Sequence, residues 1–156
     1  MDHTVVTYRH RRGFGLSTPP GWEVIEDLDD TVALALLEPE APAGFRANIV
    51  VTLETVDDDI ETWQQTIEEQ LAQNLPQYTV IDRERVNDRL IRRLGHYVAD
   101  ATGPVTMEQW ATVRGMIGYV VTASVATLSY DSLTDLFTAV ADSFQPTVPT
   151  DRAEGP

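Results

Sequence analysis

Histidine is the side chain of this sequence best suited to acid–base chemistry, because its ordinary pKa lies close to neutral pH. The chain has three histidines, His3, His10 and His96. His3 and His10 precede the first predicted strand, in a segment expected to hold no fixed geometry. His96 lies in a predicted strand, where a hydrolase would need Glu108 or Asp100 to orient it. A histidine packed in the sheet explains the same position, so we predict no catalytic residue.

Metal and cofactor chemistry has little support in the sequence. Asp57, Asp58 and Asp59 are consecutive carboxylates of the kind that calcium favours, but the spacing of an EF-hand loop is absent. Carboxylates directly before a predicted helix are also typical of helix capping. The chain has no cysteine, no phosphate-binding glycine loop and no Gly-x-Ser-x-Gly motif. We therefore predict no metal and no cofactor.

The most charged local feature is a predicted hairpin rich in arginine. Its five arginines are interleaved with acidic residues, and they are Arg83, Arg85, Arg89, Arg92 and Arg93. Arginine binds carboxylates and phosphates through a planar fork of donors, so this hairpin is a candidate site for an acidic partner. A lattice of ion pairs across two solvated strands is the alternative interpretation.

An aromatic residue on the following strand is the second interaction candidate. Trp110 alternates with polar residues and lies opposite a more apolar strand face. An exposed aromatic side chain on a sheet is typical of an interaction surface, whereas a sheet covered on both faces would simply pack it. We predict that Trp110, together with Arg83, Arg85 and Arg92, forms one partner-binding surface.

The elements that position these residues follow from the hydrophobic periodicity. Alternating and β-branched segments predict three short strands and one long strand, residues 47–56, before residue 57, and four more strands within residues 78–126. Residues 60–75 carry one apolar stripe at helical spacing. A second amphipathic helix is predicted over residues 132–144, with Ser132 and Asp135 as a capping box. We therefore predict an α+β fold, in which two helices pack on an antiparallel sheet of about seven strands.

One domain accounts for all of these elements. It is predicted to span residues 13–145, and a chain of 156 residues can bury a core without disulfides. Residues 1–12 and 146–156 are predicted to be flexible tails. The strand predicted over residues 116–126 carries little charge, which leaves open a homo-oligomer formed through it.

The charge balance excludes several classes of partner. Acidic residues outnumber basic ones by 25 to 11, which gives a net charge of −14, and every basic residue is arginine. This charge repels nucleic acid and anionic membrane surfaces. No apolar run approaches the roughly 18 residues needed to span a membrane, and none forms the core of a signal peptide. We therefore predict a cytoplasmic protein that binds no nucleic acid and spans no membrane.

The opening Gly-Phe-Gly-Leu-Ser-Thr-Pro-Pro-Gly-Trp, residues 13–22, resembles the start of the PsbP-like proteins, most closely their bacterial LpqN/DcrB-type branch. The order of predicted elements is similar over about residues 13–144, including the strand around Ala47 and the helix that carries Trp63. The resemblance implies a PsbP-like α/β sandwich and non-enzymatic roles, as accessory subunits, partner-binding proteins and effector chaperones. It transfers no catalytic residue. LpqN-type lipoproteins carry an acylated cysteine after an export signal, and this sequence shows neither.

These observations favour a non-enzymatic binding module. We predict an adaptor or chaperone-like protein that recognises a protein or peptide partner. A carrier of a small apolar ligand, held in a cavity between sheet and helix, is the second hypothesis. A hydrolase that uses His96 is the third.

Overall fold

A computed structural model describes residues 6–41 and 44–147 of the chain. Within these ranges the elements are β1 (Val6–His10), β2 (Phe14–Thr18), β3 (Glu23–Glu26), β4 (Val32–Leu37), β5 (Asn48–Thr55), α1 (Ile60–Asn74), β6 (Thr79–Asn87), β7 (Leu90–Ala99), β8 (Gly103–Arg114), β9 (Ile117–Ala126), α2 (Tyr130–Ser143) and β10 (Gln145–Pro146). A short 3₁₀ turn, Thr127–Ser129, connects β9 to α2.

Seven of the strands form one antiparallel main sheet. Their order across the sheet is β3-β4-β5-β9-β8-β7-β6. Each neighbouring pair is joined along the chain by a turn or loop, except β5 and β9, whose pairing places Leu53 opposite Tyr119. The predicted α+β class, with about seven antiparallel strands and two helices, is confirmed.

A second, three-stranded sheet was not predicted from the sequence. β1 pairs with β2 along its whole length, and β10 pairs with the other edge of β2. The prediction of a flexible tail is therefore wrong for residues 6–12, which form β1 and the turn after it. Pro146, assigned to the C-terminal tail, lies in β10. Thr147, also assigned to that tail, donates its backbone N–H to the carbonyl of Gly13 at 2.8 Å. The remaining tail residues, 1–5 and 148–156, lie outside the described residues.

Different elements cover the two faces of the main sheet. The small sheet and α2 pack on one face over the larger core, which contains Phe14, Val121 and Phe137. Helix α1 packs on the other face through Ile60 and Trp63. We call these the α2 face and the α1 face. Because side chains alternate along a strand and cross-strand partners share a face, the register assigns each strand residue to one of them.

The two helices begin differently from each other. As the sequence predicts, α1 is capped by an aspartate, since Asp59 accepts a hydrogen bond from the backbone N–H of Thr62 at 2.7 Å. Helix α2 begins at Tyr130, two residues before the predicted start. The predicted capping box is wrong, because the hydroxyl of Ser132 donates to the carbonyl of Ser129 within the first turn.

The weakly charged strand that left self-association open is β9. It lies in the interior of the main sheet, with β5 along one edge and β8 along the other. Its backbone groups are therefore taken up by its neighbours, and β9 offers no free edge to a second copy.

Candidate functional site

Several turns meet at one end of the main sheet, which we call the loop end. They are the β1–β2 turn, the β3–β4 turn, the end of β5, the β8–β9 turn and the segment after α2. Backbone hydrogen bonds tie them together, from Leu53 to Thr31 at 3.1 Å and from Val56 to Met116 at 2.8 Å. These segments surround an open cleft of about 810 Å³, which we call the loop-end cleft.

The floor of the loop-end cleft is a row of cross-strand neighbours on the α2 face. Leu53 lies opposite Tyr119, and Ile117 lies opposite both Thr55 and Arg114. Leu53 and Tyr119 are buried. Burial raises the pKa of the Tyr119 hydroxyl, and the positive charge of Arg114 opposes that rise. The floor is therefore apolar and uncharged at neutral pH, and central strands hold it in place.

Two arginines line the rim of the loop-end cleft. Arg12 Nη1 donates to the backbone carbonyl of Asp30 at 3.1 Å, and Arg114 is exposed at the end of β8. Neither forms an ion pair with a carboxylate of the described residues. Arginines that do are Arg11, Arg46, Arg83, Arg85, Arg92 and Arg93. Because acidic residues are in large excess, two cations left in one cleft indicate a surface that can receive a negative group.

His10 positions the turn that carries Arg12. Its ring is buried and stacks on Phe14, with the ring centroids 4.8 Å apart. His10 Nδ1 accepts the backbone N–H of Arg12 at 3.1 Å, so Nε2 carries the proton and donates to Asp27 at 3.0 Å. The expectation that His10 holds no fixed geometry is wrong. Both ring nitrogens are engaged, so the histidine ties the small sheet to the main sheet. His3 lies outside the described residues.

Two of the predicted partner-binding residues contact α1. Arg83 donates to Glu61 and to Glu68, each at 2.8 Å, and Arg85 donates to Glu61 at 3.3 Å. Both arginines lie on the α1 face of β6, while Asp82 and Glu84 of the same strand lie on the α2 face. The ion pairs hold the edge strand β6 against the helix.

The other two predicted residues lie on the opposite face. Arg92 is directly opposite Trp110, and its Nε donates to the buried carboxylate of Glu108 at 2.6 Å. Trp110 is half-buried and packs against the core beneath α2. The structure thus brings Trp110 and Arg92 together but separates them from Arg83 and Arg85, so the four do not form one surface. A role for each in partner binding stays a prediction.

A buried polar network under α1 was missed at the sequence level. Arg93 is 1% exposed and donates to Glu68 at 3.0 Å, to Gln109 and to Gln64. The amide nitrogen of Gln64 and the hydroxyl of Tyr78 are buried without a hydrogen-bond partner among the described residues. The sequence did carry a signal for this network. Arg93 is two residues from Ile91, so both lie on the strand face that the helix covers.

The geometry around His96 does not assemble a hydrolase. His96 is half-buried opposite Thr106, and the described hydrogen bonds do not join it to Glu108 or Asp100. Glu108 instead accepts hydrogen bonds from Arg92 and from the hydroxyl of Tyr130, the latter at 3.2 Å. Within residues 6–41 and 44–147, no group of three or more histidine and acidic side chains is arranged to hold a metal ion. None of the helices in these ranges is long and apolar enough to cross a membrane.

Acid is expected to loosen the contact between β6 and α1. The hydrogen bond from Arg83 holds the pKa of Glu61 below its ordinary value of 4.5. A carboxylate of this kind stabilises the fold above its unfolded pKa, and that contribution is lost as the pH falls through the folded pKa. Glu61→Gln should therefore lower the Tm at pH 7, and the difference from the wild type should shrink below pH 4.5.

Thermal unfolding followed by circular dichroism across this pH range tests the expectation. Glu84→Gln is the matched control, because Glu84 lies exposed on the α2 face of β6, away from the contact between Arg83 and α1. It should show no such pH-dependent difference. A Glu61→Gln difference that persists undiminished under acid conditions would mean that the ion pair with Arg83 is not its source.

The fold and the pairing described above are those of the PsbP-like α+β class. Two solved structures show it directly: the cyanobacterial PsbP, CyanoP, from Synechocystis sp. PCC 6803, and LpqN from Mycobacterium tuberculosis. Each is 16% identical to this chain with a TM-score of 0.69. The match with CyanoP covers 94% of this chain and 94% of the CyanoP chain. The match with LpqN covers 93% of this chain and 91% of the LpqN chain. The predicted PsbP-like fold with an LpqN-type relative is confirmed.

A third similar structure is PA94 from Pseudomonas aeruginosa, described as a protein of unknown function and putative regulator. It is 14% identical with a TM-score of 0.66, over 92% of this chain and 98% of its own. LpqN is described as involved in cell envelope biogenesis. No family model matches the sequence, and no curated protein matches it either. At these identities the likeness establishes the fold.

Proposed function

We propose that this chain is a non-catalytic binding or adaptor module that recognises a protein or peptide partner through its loop-end cleft. One observation carries the proposal. The cleft combines a buried apolar floor, Leu53 and Tyr119, with two rim arginines that pair with no carboxylate of the described residues. Apolar side chains beside arginine are typical of the centre of a protein interface, and the partly buried Ile117 offers apolar surface that a partner can cover.

The arrangement favours binding over catalysis. The rim carries the guanidinium groups of Arg12 and Arg114, and arginine fixes charge and orientation but is no general acid or base. The nearest histidine, His10, is buried with both ring nitrogens engaged. The names of the similar structures, among them a putative regulator, describe no reaction. They agree with a non-enzymatic role for the PsbP-like fold.

The carrier hypothesis has less support than partner binding. A carrier of a small apolar ligand needs an enclosed apolar cavity. The hollow between the main sheet and α1, lined among others by Ile67, Leu71 and Val120, is open to solvent, as is the loop-end cleft with its charged rim. A cytoplasmic location remains a prediction from the sequence.

Site-specific photo-crosslinking in the native host tests the proposal. A photoreactive residue at Met116 reports on the loop-end cleft, because Met116 is 60% exposed between the lining residues Arg114 and Ile117. One at Asp82 reports on the Trp110 and Arg92 surface, and one at Leu128, 97% exposed beyond the far end of β9, is the control. We expect a discrete crosslinked partner from Met116 alone, and its loss when Arg114→Glu is added.

Other outcomes would contradict the proposal in distinct ways. A discrete partner trapped only from Asp82 would move the recognition site to the Trp110 and Arg92 surface. Equal products from all three positions would indicate random encounters. An Arg114→Glu chain that still crosslinks at Met116 would exclude a contribution from the rim charge.

A further inference from the structure

The geometry of the loop-end cleft points to the class of its ligand. We propose that it takes an extended peptide segment in which an apolar side chain lies next to a carboxylate. The inference rests on the proposed function and adds to it the chemistry that the partner must present. Three features carry it: the uncovered end of strand β5, the apolar floor, and the charge of the rim.

Within the described strand pairings, Thr55, the last residue of β5, has a partner on the β9 side only. The pairing of β4 with β5 ends at Thr52, and the last contact on that side is the hydrogen bond from Leu53 to Thr31. Val56 donates to Met116 on the β9 side, so the alternation along the strand turns the N–H and C=O of Thr55 toward the missing β4 position. An extended peptide can pair with these groups as an added strand.

The floor provides a place for one apolar side chain. Because Leu53, Tyr119 and Ile117 share the α2 face, their side chains stand beside the free edge at Thr55. An added strand would point alternate side chains onto this face. The side chain that reaches the floor would cover the exposed part of Ile117 beside Leu53 and Tyr119, and the hydrophobic effect favours an aliphatic or aromatic residue there.

The rim provides for a carboxylate. Arg114 lies on the α2 face at the end of β8, opposite Ile117, so it stands on the cleft side of the sheet. Glu54 also lines the cleft, but it belongs to the α1 face and its carboxylate accepts the indole N–H of Trp63 at 3.0 Å. The rim therefore presents Arg12 and Arg114 beside the carboxylate of Asp30, and Arg12 also borders a neighbouring hollow with Asp27 and Asp29.

The overall charge of the chain does not cancel this local preference. The net charge of −14 repels an acidic ligand at a distance. At physiological ionic strength that field is screened beyond about 8 Å. Within the cleft, Arg12 and Arg114 stand close to an incoming ligand, and arginine can hold a carboxylate through two parallel hydrogen bonds.

Peptide display on the full-length protein tests the ligand class. Random decapeptides are selected against the wild type and against Arg114→Gln, and the leading peptide is then made with each Asp or Glu replaced by its amide. We expect enriched peptides to carry an apolar residue beside an acidic one. The amide peptide should bind at least about tenfold more weakly by fluorescence anisotropy, the scale of one charge-assisted contact.

Two variants make the result specific to the rim. Arg114→Gln should reduce the difference between acid and amide peptides to less than about twofold, since one charged contact accounts for about tenfold. Arg89→Gln is the matched control, because Arg89 also lies at the loop end without an ion pair to the described residues but lines a neighbouring hollow. It should leave the difference intact.

The outcomes separate the ligand class from the proposed function. Three results would each overturn the ligand class. They are enriched peptides without a carboxylate, equal binding of the acid and amide peptides, and an Arg114→Gln protein that still discriminates fully between those two peptides. If Met116 nevertheless crosslinks a partner, the binding module stands and only its ligand chemistry is wrong. If no position crosslinks a partner, the proposed function itself fails.

Discussion

Replacing Arg93 by alanine is expected to lower the free energy of unfolding by about 3–5 kcal/mol, the range measured when one member of a buried charged network is removed. Arg93 is among the largest fully buried side chains of the protein. Its loss would leave the side-chain oxygens of Gln64 and Gln109 without their donor and would open a cavity beneath α1. Glu68 would keep its hydrogen bond from Arg83.

Urea denaturation measures this effect, and two variants calibrate it. Arg93→Met keeps most of the side-chain volume but removes the hydrogen-bond donors. It should therefore lower the free energy of unfolding by less than Arg93→Ala does, and the difference is the contribution of packing. Arg85→Ala removes an arginine whose partners Glu61 and Asp88 are at least partly exposed, so it should cost no more than about 1 kcal/mol. If Arg93→Ala cost no more than Arg85→Ala, the network would not be a stabilising element of the fold.

Replacing Gly118 by alanine is expected to cost up to about 3 kcal/mol, because it overpacks a site that has no spare volume. A Cβ at this position would lie 2.6 Å from Trp63 Cη2 and from Val56 Cγ2. Trp63 has little freedom to move, since it is buried and its indole N–H is bound to Glu54. The new methyl group would therefore push α1 away from the main sheet.

A double-mutant cycle with Trp63→Phe identifies the source of this cost. Phenylalanine lacks the outer ring atoms that approach position 118, so Gly118→Ala should cost less in that background. The coupling free energy between the two substitutions, measured by urea denaturation, should then be a fraction of the single-mutant effect. Strict additivity would show that the strain arises from Val56 or from the strand backbone.

Local sequence signals were sufficient for most of the main sheet and for α1. Alternation and β-branched residues located the strands of the meander, and the apolar stripe with Asp59 located α1. These signals are local, because each depends on the spacing of residues within one element. Helix α2 was placed two residues late because its start follows a 3₁₀ turn instead of a side-chain cap.

The small sheet could not be predicted in this way. β1 carries arginine and histidine among its few residues, and its stability comes from pairing with β2 and from the buried ring of His10. The partner of that ring, Asp27, lies 17 residues further along the chain. A tail and a strand look alike until such long-range contacts are known.

The loop-end cleft was missed for a related reason. Its residues come from several separate segments, and Arg12 and Arg114 are far apart in the sequence. The sequence drew attention instead to the arginine hairpin, where charges are close along the chain. Most of the hairpin arginines form ion pairs within the fold. Arg12 and Arg114 at the cleft form none with a carboxylate of the described residues.

The separation of charge on β6 has a consequence for how copies of this protein meet. Strand β6 is the outer edge of the main sheet, with Arg83 and Arg85 on one face and Asp82 and Glu84 on the other. A second copy that extended the sheet across a two-fold axis would align residues of the same face. Arginine would then stand against arginine and acid against acid in every register of these four residues, which is unfavourable. The edge therefore discourages growth into a continuous sheet of identical chains while its backbone stays accessible.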